Sequence, residues 1–141
     1  MATAFSHIAL NCIDPLATER FYTTHFGFRR ARVIPLGADQ IVFLKSGSMY
    51  LELFKAAGAA GATLEKDGPG NPGTFRHIAF QVDNVDAALA AMGADARVSL
   101  GPLSFDDFIP GWRTAWIKDP DGNIVEISQG YTDQANVPAA S

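Results

Sequence analysis

The chain has 141 residues, of which 48% are hydrophobic and 18% are charged, so it suits one globular domain or two small halves that share a core. The net charge of −4 and the absence of a Lys/Arg run argue against a nucleic-acid partner, and no apolar stretch reaches the ~18 residues that span a bilayer. Because Cys12 is the only cysteine, an internal disulfide is excluded, and because no secretion signal opens the chain, we expect a cytoplasmic protein.

The first half of the chain predicts one strand, one helix and three further strands. Asp14 can cap the free N–H groups of a helix that begins at Pro15, and this helix should end before Gly27. Small turn residues, including Gly37 and Gly47, separate the later apolar stretches. The strands of this half are predicted at residues 5–12, 29–35, 40–45 and 49–54.

The second half repeats this order after a stretch rich in Ala, Gly and Pro. A helix is predicted from its cap at Asn84 through Ala91, and Asp119-Pro120-Asp121-Gly122 has the composition of a tight turn. Strands are predicted at residues 75–82, 96–100, 112–118 and 123–128, with a loop at 101–111. The predicted organisation is a first module at 1–55, a linker at 56–74, a second module at 75–130 and a loose tail at 131–141.

Two short motifs of the first half recur in the second half. His7-Ile8-Ala9-Leu10 matches His77-Ile78-Ala79-Phe80, and Leu51-Glu52-Leu53 matches Val125-Glu126-Ile127. Each half therefore begins with a strand that carries a histidine and ends with a strand that carries a glutamate. Between these two strands, each half has one helix and two further strands.

The alternation of side chains along these strands groups the polar residues on one face. In each His strand, the histidine shares its face with an alanine and an amide, while large apolar side chains occupy the opposite face. An ionised glutamate between apolar neighbours is costly unless it is solvated, paired or bound to a metal. We therefore predict one shared metal site with the ligands His7, Glu52, His77 and Glu126. Judged by face, the residues that line the substrate-binding funnel are Asn11, Tyr50, Phe54, Gln81, Trp116 and Ser128.

The predicted donor set indicates which metals the site would take. Two imidazoles and two carboxylates suit Zn²⁺, Ni²⁺, Co²⁺, Mn²⁺ or Fe²⁺ better than Ca²⁺ or Cu⁺. Four protein ligands leave two positions open on an octahedral metal. We therefore expect a small-molecule substrate that binds through two adjacent oxygens.

The motifs that carry a family resemblance extend over residues 5–130. They are His7-Ile8-Ala9, Phe21-Tyr22 with Phe26-Gly27-Phe28, Tyr50–Phe54, Arg76–Phe80 with Val82-Asp83, and Asp119–Gly122 ahead of Val125-Glu126. In this order and spacing, the chain resembles the vicinal oxygen chelate superfamily. That superfamily includes glyoxalase I, methylmalonyl-CoA epimerase, extradiol dioxygenases, and bleomycin- and fosfomycin-resistance proteins.

The resemblance implies an α+β fold in which paired βαβββ modules form an eight-stranded, barrel-like sheet that is not fully closed, with helices outside. It also implies a homodimer and one divalent metal per site, held by one residue from each of four strands. Position by position, these ligands are His7, Glu52, His77 and Glu126. Four ligands are the pattern of glyoxalase I-like proteins, whereas extradiol dioxygenases and fosfomycin-resistance enzymes use three.

The chain departs from glyoxalase I at the positions that bind glutathione there. Glyoxalase I grips the glutathione carboxylates with an arginine on the first strand, where this chain has Asn11. The asparagine that follows the strand of Glu52 in glyoxalase I is also absent, because Lys55-Ala56-Ala57 stands there. These departures argue against glutathione as the co-substrate.

The resemblance favours a metal-dependent lyase or isomerase of glyoxalase I type. In that chemistry, the metal stabilises an enediolate while a glutamate moves a proton. We expect Glu126 to be this base, because it follows a tight turn and is freer to move, with Glu52 as the alternative. Two other functions stay open, namely an Fe²⁺-dependent dioxygenase and a metal-free protein that sequesters a drug.

Overall fold

A computed structural model describes residues 2–58 and 61–140 of the chain. Residues 59 and 60 of the predicted linker, and residues 1 and 141 at the ends, lie outside the described part. The structure confirms the α+β fold with two βαβββ modules, in which eight strands form two four-stranded sheets that are not closed. The elements are β1 (His7–Cys12), α1 (Pro15–His25), β2 (Arg29–Leu36), β3 (Asp39–Ser46), β4 (Met49–Lys55), β5 (Ile78–Gln81), α2 (Val85–Met92), a 3₁₀ turn (Gly93–Asp95), β6 (Arg97–Ser104), β7 (Arg113–Lys118) and β8 (Ile124–Gln129).

The chain divides into two units. Unit 1 comprises Met1–Leu64 and Lys118–Asn123, and unit 2 comprises Glu65–Ile117 and Ile124–Ser141. The turn between β7 and β8 therefore belongs to unit 1 together with Lys118 at the end of β7, although the rest of β7 and all of β8 belong to unit 2.

The sheet of unit 1 has the strand order β1-β4-β3-β2. β1 and β4 are parallel, while β3 runs antiparallel to both β4 and β2. The first and last strands of this module are thus neighbours at one side of the sheet. This arrangement brings the His strand beside the Glu strand.

The local sequence accounts for the helix of unit 1. The carboxylate of Asp14 accepts a hydrogen bond from the backbone N–H of Leu16 at 3.1 Å, and Pro15 occupies the first turn, where no N–H is needed. Phe21 and Tyr22 of α1 are buried. Leu10 and Cys12 of the sheet are buried as well, as the alternation predicts.

The turn at Asp119–Gly122 is anchored inside unit 1 by side-chain hydrogen bonds. The hydroxyl of Tyr22 donates to Asp119 Oδ2 at 2.7 Å, and the hydroxyl of Thr18 donates to Asp121 Oδ2 at 2.6 Å. Burial raises the pKa of Asp119, although the hydrogen bonds from Tyr22 and Asn123 and from the backbone of Asp121 act in the opposite direction. The turn motif therefore serves as a buried anchor against α1.

The sheet of unit 2 repeats the arrangement, with the order β5-β8-β7-β6 and β5 parallel to β8. Asn84 caps α2 by accepting from the backbone N–H of Ala87 at 2.8 Å. The apolar side chains of α2, β7 and β8 form a core that includes Val85, Met92, Ala115, Ile117, Val125 and Ile127.

Three strand boundaries differ from the prediction by more than one residue. β1 begins at His7 and not at Phe5. β5 begins at Ile78 and not at Phe75, because the backbone of Arg76 contacts a loop at Gly68 and does not join the sheet there. The predicted loop at 101–111 is wrong at its start, since β6 extends to Ser104. β6 is an edge strand, where a proline such as Pro102 is tolerated.

Within the described residues, no helix has the length and apolar character needed to cross a membrane.

Candidate metal centre

The first His–Glu pair lies on the two parallel strands at the side of the sheet of unit 1. His7 Nε2 stands 3.1 Å from Glu52 Oε1. In the strand register, Ala9 is opposite Glu52, and His7 lies two residues before Ala9 on the same face of β1. Because the alanine side chain is small, the imidazole can reach diagonally across to the carboxylate.

The second pair reproduces this geometry in unit 2. His77 Nε2 stands 3.2 Å from Glu126 Oε1, and Ala79 is opposite Glu126 in the register of β5 and β8. His77 itself lies just before β5. Both glutamate side chains are 16% exposed, while His7 is 37% and His77 is 19% exposed.

In each pair, a ring nitrogen faces a carboxylate oxygen within contact distance. An ionised carboxylate can only accept a hydrogen bond, and imidazole Nε2 carries either a proton or a lone pair. Two lone pairs repel each other unless a proton on the imidazole or a metal ion lies between them. A neutral imidazole that donates from Nε2 satisfies each contact, and a metal ion bound by the same two atoms would satisfy it as well.

The second ring nitrogen of each histidine also has a partner. His7 Nδ1 lies 2.7 Å from the hydroxyl oxygen of Ser6, and His77 Nδ1 lies 2.6 Å from the backbone carbonyl oxygen of Asp67. Histidines that bind metals are usually held in this way through the ring nitrogen that does not bind the metal. The contacts leave Nε2 as the atom that both rings direct at a glutamate.

An aromatic ring stands edge-on to each histidine. Phe43 of β3 lies opposite Glu52 of β4, and its ring centroid is 5.7 Å from that of His7. Trp116 of β7 has its ring centroid 6.4 Å from that of His77. The indole Nε1 of Trp116 is buried and, among residues 2–58 and 61–140, has no hydrogen-bond partner. A buried donor without a partner costs free energy, so the indole N–H is suited to donate a hydrogen bond to a bound molecule.

The residues predicted to bind substrate lie on strands of the two modules. Tyr50 is opposite His7 in the register, and Asn11 is opposite Phe54. In unit 2, Gln81 is opposite Ser128, whose hydroxyl oxygen accepts a hydrogen bond from the indole of Trp112 at 3.1 Å. In unit 1, the predicted residues are on the strands that carry His7 and Glu52. In unit 2, Ser128 is on the strand of Glu126, Gln81 is on β5, which His77 precedes, and Trp116 contacts His77.

The structure brings the four predicted ligands together two by two. His7 and Glu52 both belong to unit 1, and His77 and Glu126 both belong to unit 2. The described residues contain no group of three or more His, Cys, Asp or Glu side chains that could hold a metal ion. The shared site of all four ligands stays a prediction.

Sequence reasoning did not identify Ser6, Phe43 and Asp67 as part of this site. Phe43 could have been found from the predicted alternation of strand 40–45. Asp67 precedes Gly68 in the predicted linker, and Asp-Gly is a turn signal, but nothing in the sequence indicates which histidine its carbonyl meets.

Comparison with known proteins places this geometry in context. The model of the family described as Glyoxalase/Bleomycin resistance protein/Dioxygenase superfamily matches residues 4–127. No curated protein matches the chain.

Several solved structures are similar over nearly the whole chain. A glyoxalase family protein from Enterococcus faecalis is 29% identical with a TM-score of 0.66, and the match covers 89% of this chain and 96% of that one. A lactoylglutathione lyase from Agrobacterium tumefaciens is 25% identical with a TM-score of 0.60, over 92% of this chain and 96% of that one. An antibiotic-binding protein from Streptomyces sp. CB03234 is 24% identical with a TM-score of 0.64, over 93% and 99%, and this likeness shows the fold alone.

Proposed function

Because the chain belongs to the Glyoxalase/Bleomycin resistance protein/Dioxygenase superfamily, we propose that it is a metal-dependent lyase or isomerase of glyoxalase I type. The superfamily includes enzymes and non-enzymatic binding proteins, and its members often bind divalent metals. The observation that carries the proposal is the repeated pair, in which His Nε2 faces Glu Oε1 at 3.1 Å and again at 3.2 Å.

The residues present fit a divalent metal. His7, Glu52, His77 and Glu126 offer two imidazole nitrogens and two carboxylates, a set that suits Zn²⁺, Ni²⁺, Co²⁺, Mn²⁺ or Fe²⁺. The partners at Nδ1 support this assignment, because they leave Nε2 of each ring for the metal. When bound, the metal supplies Lewis-acid polarisation of a substrate carbonyl.

Within the proposed reaction, a glutamate removes a proton from the carbon next to the polarised carbonyl and returns it to a neighbouring atom. We assign this role to Glu126, with Glu52 as the alternative. Glu126 lies on β8, two residues after that strand begins and four residues after the turn ends at Gly122. Its carboxylate is largely shielded from solvent, which favours proton transfer to the substrate over exchange with water.

The aromatic neighbours have roles in this proposal that do not involve proton transfer. Phe43 and Trp116 each pack against one side of an imidazole ring. The unpaired indole N–H of Trp116 is suited to donate to an oxygen of the substrate. Tyr50, Phe54, Asn11, Gln81 and Ser128 provide further apolar and polar surface for a molecule with two adjacent oxygens.

The proposal does not include glutathione. The glutathione-binding arginine of glyoxalase I has no counterpart here, since Asn11 carries no charge and is exposed at the corresponding place on β1. A substrate without carboxylates to grip, such as an adduct of a 2-oxoaldehyde with a small thiol, fits better. We further propose that the protein is a cytoplasmic homodimer.

Activity of the purified, metal-loaded protein tests this function. We expect turnover of at least one of three substrate classes, namely 2-oxoaldehyde thiol adducts, acyl-CoA epimers and catechols, with either of the first two supporting the proposal. Turnover of catechols alone, dependent on Fe²⁺ and oxygen, would support the dioxygenase alternative instead. Binding of a drug by metal-free protein, without turnover, would support the sequestering alternative.

The Glu126→Gln variant tests the role of the base. It should retain metal and lower turnover by about 10²–10⁴-fold, the usual contribution of general base catalysis. Glu19→Gln is the matched control, because Glu19 is shielded to a similar extent, with 15% of its side chain exposed, pairs with Arg30 and is not part of either His–Glu pair. If Glu126→Gln turns over as fast as the control, Glu126 is not the base.

A further inference from the structure

The strand register of unit 1 places basic residues in line with the first His–Glu pair. His7 of β1 is opposite Tyr50 of β4. Tyr50 is in turn opposite Lys45 of β3, which is opposite Arg29 of β2. Residues that are opposite each other in a ladder point to the same face of the sheet, so these side chains share one face. The Lys45 Nζ atom lies 5.2 Å from the centroid of the Tyr50 ring, which agrees with this arrangement.

An irregularity in β2 turns a further basic side chain to the same face. The register of β2 against β3 shifts by one residue between Arg30 and Arg32, as in a β-bulge, and Arg32 is opposite Phe43. Because Phe43 is opposite Glu52, Arg32 shares the face of the His–Glu pair. In a regular strand, Arg29 and Arg32 would point to opposite faces. Bulges are a common means of redirecting a side chain next to a binding site.

The pairing of the basic residues differs between the two faces of β2. Arg30 donates from Nη2 to Oε1 of Glu19 on α1 at 2.9 Å, so its charge is paired with a carboxylate. In the part of the chain that the structure describes, no carboxylate forms an ion pair with Arg29, Arg32 or Lys45. These three side chains form the cationic face of unit 1.

The cationic face carries a repulsion that an anion would remove. Arg29 and Lys45 are directly opposite each other, and like charges in that position destabilise a sheet. In the two rows of the register that hold the cationic face, the one carboxylate is that of Glu52, which faces His7 at 3.1 Å. Two guanidinium groups and an ammonium group are suited to hold an oxyanion that carries more than one charge.

We propose that the cationic face is a subsite for a phosphate group of the substrate, whose two adjacent oxygens reach the metal at the His7–Glu52 pair. A phosphate monoester carries about −1.5 to −2 charge at neutral pH and three acceptor oxygens, so it matches three cations better than a carboxylate does. His7 and Lys45 are two strand spacings apart, roughly 10 Å between their Cα atoms, so several atoms separate the phosphate from the two oxygens. The role in the substrate rests on the proposed function, whereas the binding of phosphate does not.

Inorganic phosphate and the metal-free protein give the first test. In a ¹⁵N NMR titration at low ionic strength, phosphate should cause saturable shifts of the backbone amides around Arg29, Arg32 and Lys45. Acetate at the same concentrations should cause smaller shifts that do not saturate. Absence of saturable shifts with phosphate would overturn the proposal, and equal affinity for acetate would overturn the assignment to phosphate.

The double variant Arg29→Gln/Arg32→Gln tests which residues bind the phosphate. We expect its affinity for inorganic phosphate to be at least about fivefold weaker than that of the wild type, the loss expected for two exposed charge contacts. Arg30→Gln/Arg113→Gln is the matched control, because it changes the net charge by the same amount and both of its arginines are paired with carboxylates. An equal loss in the two double variants would show an effect of net charge alone, and the proposal would be wrong.

A pair of probes tests whether the phosphate and the metal belong to one substrate site. 4-Hydroxybutanohydroxamate offers two adjacent oxygens to a metal, and its phosphate ester carries a phosphate at the far end of the chain. We expect the Zn²⁺-loaded wild type and the Arg30→Gln/Arg113→Gln control to bind the ester at least about fivefold more tightly than the parent compound. In Arg29→Gln/Arg32→Gln, this difference should disappear.

The outcomes separate this inference from the proposed function. If phosphate binds to the cationic face of the metal-free protein but no Zn²⁺ is taken up, the anion subsite stands and the proposed function is wrong. If Zn²⁺ and the parent hydroxamate bind but the ester has no advantage, the metal site stands and the phosphate subsite of the substrate is wrong.

Discussion

Cys12 shows how the fold changes the chemistry of a single side chain. The thiol is fully buried on the apolar face of β1, as the alternation of the strand predicts. Burial raises the pKa of Cys12 from 9.0 to about 12, and the nearby carboxylates of Asp121 and Asp119 act in the same direction. Because the thiolate is the reactive form, the native thiol should be inert at neutral pH.

A thiol reagent such as Ellman's reagent at about pH 8 tests this prediction. We expect the native protein to react at least about 100-fold more slowly than the protein in denaturant, because reaction requires opening of unit 1. The Cys12→Ser variant gives the background signal. Equal rates in native and denaturing buffer would show that the thiol is exposed.

The same pKa shift has a consequence for stability. The unfolded chain loses the thiol proton near pH 9, whereas the folded protein keeps it up to about pH 12. The folded state therefore binds the proton more tightly, and its stabilising contribution is complete below pH 9. That contribution is lost as the pH rises from 9 towards 12, so the free energy of unfolding should fall in this range.

The sequence predicts the four side chains as ligands of one shared site, but it predicts neither their arrangement as two pairs nor how each ring is held. His7 pairs with Glu52, and His77 with Glu126, because strand alternation and the repeat together determine the faces and the neighbours. The contact at His77 Nδ1 comes from a backbone carbonyl in an irregular turn, which no side-chain pattern reveals. The unpaired indole of Trp116 likewise depends on packing and not on its position in a pattern.

The turn between β7 and β8 makes more contacts in the structure than its composition predicts. Its composition predicts a tight turn, and in the structure Asp119 also accepts from the buried hydroxyl of Tyr22 at 2.7 Å. Asp119 accepts further hydrogen bonds from the backbone N–H groups of Asp121 and Asn123, each at 2.9 Å. Loss of the tyrosine hydroxyl leaves a buried carboxylate with one donor fewer.

Tyr22→Phe should therefore lower the free energy of unfolding by about 1.5–3 kcal/mol, the usual value for a hydrogen bond to a charged group. This decrease in the free energy of unfolding should be smaller at acid pH, where Asp119 is protonated in both proteins. Urea denaturation at two pH values measures both effects.

Tyr131→Phe is the control for this change. Tyr131 is 50% exposed, so its variant should stay within about 0.5 kcal/mol of the wild type. If Tyr22→Phe is no less stable than Tyr131→Phe, the hydrogen bond to Asp119 does not stabilise unit 1.

The order of the elements could be predicted, and the misplaced boundaries have local causes. β5 is shorter than its apolar pattern because Arg76 and His77 contact a loop at Asp67 and Gly68. β6 is longer than expected because Gly101 and Pro102, which are typical of loops, are tolerated at the edge of a sheet. Composition alone does not reveal that a loop packs next to the start of β5. It also does not reveal that β6 lies at the edge of its sheet.

At the scale of the whole molecule, the internal repeat explains the architecture. Each module places its first and last strands side by side and in parallel, with an alanine opposite each glutamate. Each module thus supplies one histidine and one glutamate, too few for a complete divalent site. The proposed function requires that each metal is bound by one His–Glu pair of the first module and one of the second. The two pairs can come from one chain or from two copies of it.

The stoichiometry and affinity of Zn²⁺ binding test this central claim most directly, by titration calorimetry with metal analysis of the purified protein. We predict one metal per chain, and a loss of affinity in both His7→Ala and His77→Ala that is at least as large as the about 10–100-fold caused by removing a residue that orients a ligand. His25→Ala, which changes the third histidine of the chain on α1, should bind like the wild type. Absence of metal binding, two metals per chain, or undiminished affinity in either His7→Ala or His77→Ala would contradict a site built from both pairs.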